Sequence, residues 1–281
     1  MIKLITISSA CLVLTLTACS KEQTTQPVQS DVDNTTEQSQ TLRIAAAANL
    51  SDVLPEIIAA YQADKTPPAQ AIDVTYASSG KLYAQITSGA PYDIFLSANQ
   101  EFPAKLATEK LDNVKSADEA THEPFTYTQG QLALYSVNKS LKGLNTTTLN
   151  ALLMSESDSK ITIANPELAP YGKSAQAYLQ SQNIFDTLTE QSRIIQAENI
   201  GQAFQYAHTG NVDYGFVAQS QLTAIKATPE QFYTLAPDAY PPILQDGLVI
   251  SDTTAATDFS NYLRSPTGQQ YFSDAGYLAI D

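Results

Sequence analysis

Along this chain, short runs in which apolar positions alternate or stand unbroken take turns with longer runs in which they recur every three to four residues. The clearest instance covers residues 72–96. Ile72, Val74 and Tyr76 alternate as a strand does, Leu82 and Ile86 share one helix face, Gly89-Ala90-Pro91 stops that helix, and Asp93–Leu96 begins another strand. This predicts a strand–helix–strand unit with Ser78-Ser79-Gly80 at the helix N-terminus. The first N–H groups of a helix have no internal partner and the helix dipole is positive there, so the turn suits an anion. A plain capping role for either serine is the simpler alternative.

The pattern continues on both sides. Residues 42–48 read as a buried strand, 49–52 as a turn, and Val53, Leu54, Ile57, Ile58 and Tyr61 as a helix whose Pro55 is tolerable only in the first turn. A helix over 102–111 and a polar connection over 112–122 follow. A second set starts at Phe125: strand Gln131–Val137, helix Asn145–Met154, strand Lys160–Ala164, and a turn through Tyr171-Gly172 into a helix at Ala175–Leu179. Strand Arg193–Ala197 then leads to a helix opened by Glu198-Asn199-Ile200-Gly201 and stopped by Gly210. Strands Asp213–Ala218 and Asp246–Ser251, a helix over 255–264 and a Ser265-Pro266 turn before Gly268–Phe272 complete the chain. Strands alternating with helices predict an α/β fold with mostly parallel sheets, and two such sets predict two lobes. Open α/β sheets hold ligands beyond the carboxyl ends of their strands. Four such ends carry small or polar turns: Asn49, Ser78-Ser79, Tyr171-Gly172 and Asn199-Ile200, two in each half.

The N-terminus changes the picture of location. Residues 1–18 carry Lys3 as their only charge, and the apolar run Leu4–Leu16 is too short to span a bilayer as a helix, which predicts a signal peptide over 1–18. It ends Leu16-Thr17-Ala18-Cys19, which resembles the lipobox of bacterial lipoproteins and makes Cys19 the expected lipidated first residue. Cys11 would leave with the signal, so no disulfide is expected. Residues 19–41, rich in Gln and Thr and without aromatics, read as the lipidated Cys and a flexible tether. Without the signal, 14 basic side chains face 29 acidic ones, a net charge of −15. That excludes nucleic acid as a partner and requires any bound anion to be held by local dipoles and hydroxyls against the overall field.

Other chemistry fares poorly on spacing. Ser78-x-x-Lys81 matches one motif of serine acyl-enzymes and Ser97-Ala98-Asn99 imitates a second, but the Lys-Thr-Gly motif is absent. Gly172-Lys173-Ser174 ends like a phosphate-binding loop, but Glu167 stands where that loop needs Gly. His122 and His208 are the only histidines and read as surface residues, so neither a catalytic triad nor a His-rich metal site can be assembled. Tyr61, Tyr83, Phe204 and Tyr206 read as core or packing residues.

Six blocks in register carry a resemblance: Ala-Ala-Ala-Ala-Asn-Leu (45–50), Tyr-Ala-Ser-Ser-Gly-Lys-Leu-Tyr-Ala-Gln-Ile (76–86), Gly-Ala-Pro-Tyr-Asp-Ile-Phe-Leu-Ser-Ala (89–98), Ile-Ala-Asn-Pro-Glu-Leu-Ala-Pro-Tyr-Gly (163–172), Gln-Ala-Glu-Asn-Ile-Gly-Gln-Ala (196–203) and Gly-Asn-Val-Asp-Tyr-Gly-Phe-Val-Ala (210–218). Together they are similar to the periplasmic molybdate-binding proteins of ABC transporters (ModA family), in order from about 42 to 280. The resemblance implies a two-lobed type II periplasmic-binding-protein fold, with 42–122 plus 238–281 as lobe 1, 123–237 as lobe 2 and the ligand in the cleft. It implies a monomeric, non-enzymatic, extracytoplasmic solute-binding protein of the periplasm or cell envelope. The implied ligand is molybdate and also tungstate, with molybdenum present only as the oxyanion and no cofactor, and the implied partner is an ABC permease of the inner membrane. It assigns the oxyanion to Asn49, Ser79, Tyr171 and Ile200, with Ala48 and Ser78 as secondary candidates and Tyr171 and Ile200 acting largely through backbone N–H groups. Asn49 stands where many members have Ser. Ala218 departs from members that carry a Tyr whose hydroxyl reaches the ligand, leaving the Tyr171 phenol as a possible substitute. The alternatives are another tetrahedral oxyanion, sulfate or phosphate, and a serine acyl-enzyme using Ser78 and Lys81.

Overall fold

The computed structural model describes residues 41–65, 70–111 and 123–280. The signal peptide, Cys11, Cys19, His122 and nearly all of the tether lie outside them. In chain order the first lobe contributes β1 (Leu42–Ala47), α1 (Leu54–Ala63), β2 (Ile72–Ala77), α2 (Ser79–Thr87), β3 (Ile94–Leu96), α3 (Glu101–Leu111) and β4 (Phe125–Gly130). The second holds β5 (Leu132–Tyr135), α4 (Thr146–Ser155), β6 (Ile161–Ala164), α5 (Pro170–Ser181), α6 (Phe185–Glu190), β7 (Ile194–Ala197), α7 (Ile200–His208), β8 (Tyr214–Ala218), α8 (Gln219–Ala224) and β9 (Phe232–Thr234). The chain then returns through β10 (Ile243–Val249) to α9 (Thr254–Arg264) and α10 (Pro266–Asp274).

Two five-stranded sheets result, ordered β2-β1-β3-β10-β4 and β7-β6-β8-β5-β9. Each is mixed rather than mostly parallel. β1 runs parallel to β2 and β3, whereas β10 is antiparallel to both β3 and β4. In the second sheet β6 is parallel to β7 and β8, and β5 is antiparallel to β8 and β9. The cause is topological: β10 and β5 enter their sheets from the other lobe, without the helical crossover that keeps neighbours parallel. β4 lies in the first sheet, its Phe125 opposite Gly247 and its Gly130 opposite Ile243. The sequence reading placed residues 123–130 with lobe 2; the passage to the second sheet falls instead at Gln131, between β4 and β5.

Both faces of the first sheet are covered, as its parallel part requires. On one side Leu42, Ile44 and Ala46 pack with Leu54, Ile57, Phe259 and Leu263; on the other Ala45 and Phe95 pack with Leu82, Ile86 and Leu106. Removing Leu82 from water stabilises the fold by about 2 kcal/mol, which fixes α2 on the sheet. Local chemistry sets the ends. Pro55 falls in the first turn of α1, Asn145 closes a capping box with Thr148 on α4, and α7 stops before Gly210 at φ +72°. Ser265-Pro266 is no isolated turn: Ser265 Oγ accepts the Gly268 N–H at 3.2 Å and Pro266 opens α10.

Candidate functional site

Three helix N-termini and the turn after β1 converge on one small cavity. Ala47, Ala48, Asn49, Ala77, Ser78, Ser79 and Ala98 line it from the first lobe, and Ala169, Pro170, Tyr171, Asn199 and Ile200 from the second. Each helix follows the carboxyl end of a strand, and the alanines keep the wall thin enough for backbone to reach the space. None of the lining side chains carries a charge.

The donors can be counted from the helix positions. Ile200 is the first residue of α7, and Asn199 caps that helix by accepting the Gln202 N–H at 2.9 Å. The Ile200 N–H thus has no helical partner. In α5 the first residue is Pro170, which has no N–H, so Tyr171 supplies the first donor of that helix. In α2 the Gly80 N–H is taken by the Leu168 carbonyl of the other lobe at 2.9 Å, which leaves the Ser79 N–H. Ser79 Oγ accepts the Ala98 N–H at 2.9 Å, a bond that fixes the hydroxyl and leaves its own proton to donate. Ser78 Oγ is buried without a partner, as is Asn49 Oδ1. Asn49, Ser79, Tyr171, Ile200, Ala48 and Ser78 are therefore brought to one wall.

The Tyr171 phenol, the substitute considered for the hydroxyl missing at Ala218, is engaged by Gln245 Nε2, which donates to it at 3.2 Å, and a Cβ at Gly130 would collide with it. Burial pushes its pKa well above the usual value, so it is a neutral group. Ala218 is buried and its N–H donates to Gln221 Oε1 at 3.0 Å.

Cations stay outside. Lys81 pairs with Glu198 across the cleft at 3.1 Å, and Lys173 with Glu101 at 3.3 Å, all four side chains being substantially exposed. Such pairs contribute at most about 1 kcal/mol each and act as weak latches between the lobes. With its ammonium held by Glu198, Lys81 does not serve Ser78 as a base. Gly172 is packed inside α5 against the Ala164 carbonyl, so the phosphate-loop likeness of 172–174 has no structural counterpart. His208 Nδ1 lies 2.9 Å from the Tyr135 hydroxyl and its ring stacks on Phe204. Among the described residues no cluster of three or more His, Cys, Asp or Glu could hold a metal ion.

Sequence reasoning missed the layer behind the wall. Asn49 Nδ2 donates to Gln245 Oε1 at 2.9 Å and to the Tyr277 hydroxyl at 3.0 Å, and the Tyr127 hydroxyl reaches Gln245 Oε1 at 3.0 Å. The available signal was Gln245 itself, a fully buried amide in the otherwise largely apolar β10.

Residues 42–278 match the family described as bacterial extracellular solute-binding protein. The chain belongs to that family. It is 32% identical over 261 residues to the molybdate-binding protein ModA of Rhodobacter capsulatus, covering 85% of this chain and 97% of that one. The ModA of Azotobacter vinelandii is 29% identical over 244 residues, with 85% and 90% covered. Among solved structures, the periplasmic molybdate-binding protein of Azotobacter vinelandii superposes with a TM-score of 0.74 at 28% identity, over 85% of this chain and all of that one. The two-lobed solute-binding fold and the resemblance carried by the six sequence blocks are thereby borne out. The relatives are named as binding proteins, so the acyl-enzyme alternative falls; this chain is a solute-binding protein and not an enzyme.

Proposed function

We propose that this protein captures molybdate, and also tungstate, in the cleft between its lobes and delivers it to an ABC permease of the inner membrane. The observation that carries the reading is the charge-free cavity where the N-termini of α2, α5 and α7 meet beside Asn49 and Ser79. Helix N-termini present N–H groups and a positive dipole, which suits an oxyanion in a protein whose net charge of −14 repels one at long range. The molybdate-binding relatives support the choice of ion.

Charge cannot separate molybdate from sulfate, since both are tetrahedral dianions. Size can. A ring of neutral donors spaced for long metal–oxygen bonds leaves some donors unmet around the smaller sulfate, at about 1–3 kcal/mol for each buried donor. Donors on both lobes reach the oxygens together only when the lobes are closed, so the ligand shifts the population towards the closed form. Calorimetric titration of the soluble fragment should give heat with molybdate and tungstate and none with sulfate or phosphate. Tighter binding of sulfate would overturn the assignment.

The same proposal puts the protein at the envelope through lipid on Cys19. A single acyl chain anchors only marginally, so several chains are expected. Mass spectrometry of the mature N-terminus decides it, and an unmodified Cys19 or cleavage elsewhere would refute the anchor.

A further inference from the structure

Behind the cavity wall, two amides and three phenols form one buried network. Asn49 Nδ2 donates to Gln245 Oε1 (2.9 Å) and to the Tyr277 hydroxyl (3.0 Å), and the Tyr277 hydroxyl donates to the Asn49 carbonyl oxygen (2.8 Å). The Tyr127 hydroxyl lies 2.8 Å from the Ser97 carbonyl oxygen and 3.0 Å from Gln245 Oε1. Gln245 Nε2 donates to the Tyr171 hydroxyl at 3.2 Å. Asn49 and Gln245 are fully shielded from solvent, and Asn49 Oδ1 has no partner.

A side-chain amide keeps its shape when a half-turn exchanges its oxygen and nitrogen, so the pair has a second state with the same heavy-atom positions. Turning one amide alone would set two nitrogens or two oxygens 2.9 Å apart, so the two turn together. In the first state a single Tyr127 proton serves two acceptors, and Asn49, which lines the cavity, leaves its side-chain carbonyl unpaired. In the second, Gln245 Nε2 donates to Asn49 Oδ1 and to Tyr127, Gln245 Oε1 accepts from Tyr171, and Asn49 Nδ2 turns its protons to the cavity. The shared proton is then that of Tyr277, between the two oxygens of Asn49. The two states have nearly the same bond count, so the contents of the cavity decide between them. An oxyanion is repelled by a carbonyl oxygen and held by an N–H.

We propose that Gln245 is a positioning residue that turns the Asn49 amide so that Nδ2 faces the bound oxyanion, and that it senses closure through Tyr171 of the second lobe. The proposal rests on the oxyanion reading above. Its carrying observation is the buried Asn49–Gln245 amide pair beside the cavity, joined to Tyr171 of the second lobe and leaving Asn49 Oδ1 without a partner.

A double-mutant cycle tests it. Gln245→Met keeps the length of the side chain and removes both polar atoms. Asn49→Ser replaces the amide by a hydroxyl, which rotates freely and needs no partner to turn its proton. Each variant and the pair are titrated calorimetrically with molybdate and with sulfate, and whichever ion binds the native chain serves as probe. A preference for sulfate would overturn the molybdate reading while still testing Gln245; binding of neither ion would overturn both. Gln245→Met should weaken binding by at least about tenfold in the native chain and by less than about threefold on top of Asn49→Ser. Equal losses in both backgrounds would make Gln245 merely structural and overturn the proposal. Should Gln245→Met not fold, the unmutated protein still decides: the Asn49 side-chain NH2 resonances, identified by their absence in Asn49→Ser, must shift when the ion is added. Unmoved resonances at saturation would overturn it.

Discussion

Gly80, in the first lobe, donates its N–H to the Leu168 carbonyl of the second at 2.9 Å, directly beside the cavity wall. A Cβ at Gly80 would stand 3.1 Å from Leu168 Cα and 3.1 Å from Phe102 Cζ. The Leu168 contact is too close for full closure without a small shift and is relieved once the lobes part, whereas the Phe102 contact lies within the first lobe and meets only the end of a side chain that can give. Gly80→Ala should therefore weaken molybdate binding by about tenfold and leave the melting temperature of the ligand-free protein almost unchanged. Small-angle scattering should show the native radius of gyration shrinking with molybdate and a smaller change in the variant. An unaltered affinity would show that this contact does not limit closure.

The cavity wall separates a polar contact from a charged one at neighbouring residues. Ser79 Oγ is fixed by the Ala98 N–H with its proton free, whereas Lys81 pairs with Glu198 at the surface. Ser79→Ala removes one buried donor and should cost about tenfold in affinity or more. Lys81→Ala should change it by less than about threefold, since an exposed pair is worth under about 1 kcal/mol. Calorimetry on both variants checks the mechanism, and a collapse of binding in Lys81→Ala would refute capture by neutral donors.

Local signals made the wall legible before the fold was known. Small polar turns after strands, together with the proline limit at Pro55, placed Asn49, Ser78, Ser79, Tyr171 and Ile200 in strand-to-helix turns, and the structure sets them on one cavity, with α5 beginning at Pro170 rather than Ala175. What failed was long-range. Nothing in Phe125–Gly130 says that its partner is β10, some 115 residues later, so β4 was grouped with the wrong lobe. Helices α6 and α8, of six residues each, are too short to display a period, and β9 spans three residues. The Gln245 network was hidden for the same reason as β4: its members are scattered from Asn49 to Tyr277 and meet only through the fold.

Gly172 offers a test of how the second lobe aims its donor. A Cβ there would run into the Ala164 carbonyl at the end of β6, and both partners are backbone, so neither can swing aside. Gly172→Ala should push the first turn of α5 off the sheet and carry the Tyr171 N–H with it. We expect a lower melting temperature and a loss of molybdate affinity greater than for Ser79→Ala. A variant with native stability and native affinity would show that the α5 terminus tolerates displacement and that its N–H is not a ligand donor.

The three phenols behind the wall contribute to the alkaline limit of the protein, beside other tyrosines that burial raises. Burial, with neighbouring negative or ionisable groups in support, raises Tyr127 and Tyr171 well above their ordinary value and raises Tyr277 as well. In the unfolded chain each would ionise near pH 10. The folded state therefore holds these protons more tightly, so the stability they contribute is fully present below about pH 10 and is lost as the pH rises towards the folded values. Above that point the unfolded state binds fewer protons, and stability falls by about 1.4 kcal/mol per pH unit for each such tyrosine, roughly 4 for the three. Melting temperature should thus stay level between about pH 8 and 9.5 and drop steeply beyond. Molybdate affinity should not fall between about pH 8 and 9.5, since no donor at the cavity loses a proton there. Tyr127→Phe should make the alkaline slope shallower by about 1.4 kcal/mol per pH unit. If Tyr127→Phe, Tyr171→Phe or Tyr277→Phe removes tyrosinate absorbance from the folded protein near pH 10, that phenol is not shut away from solvent, and the buried network loses its basis.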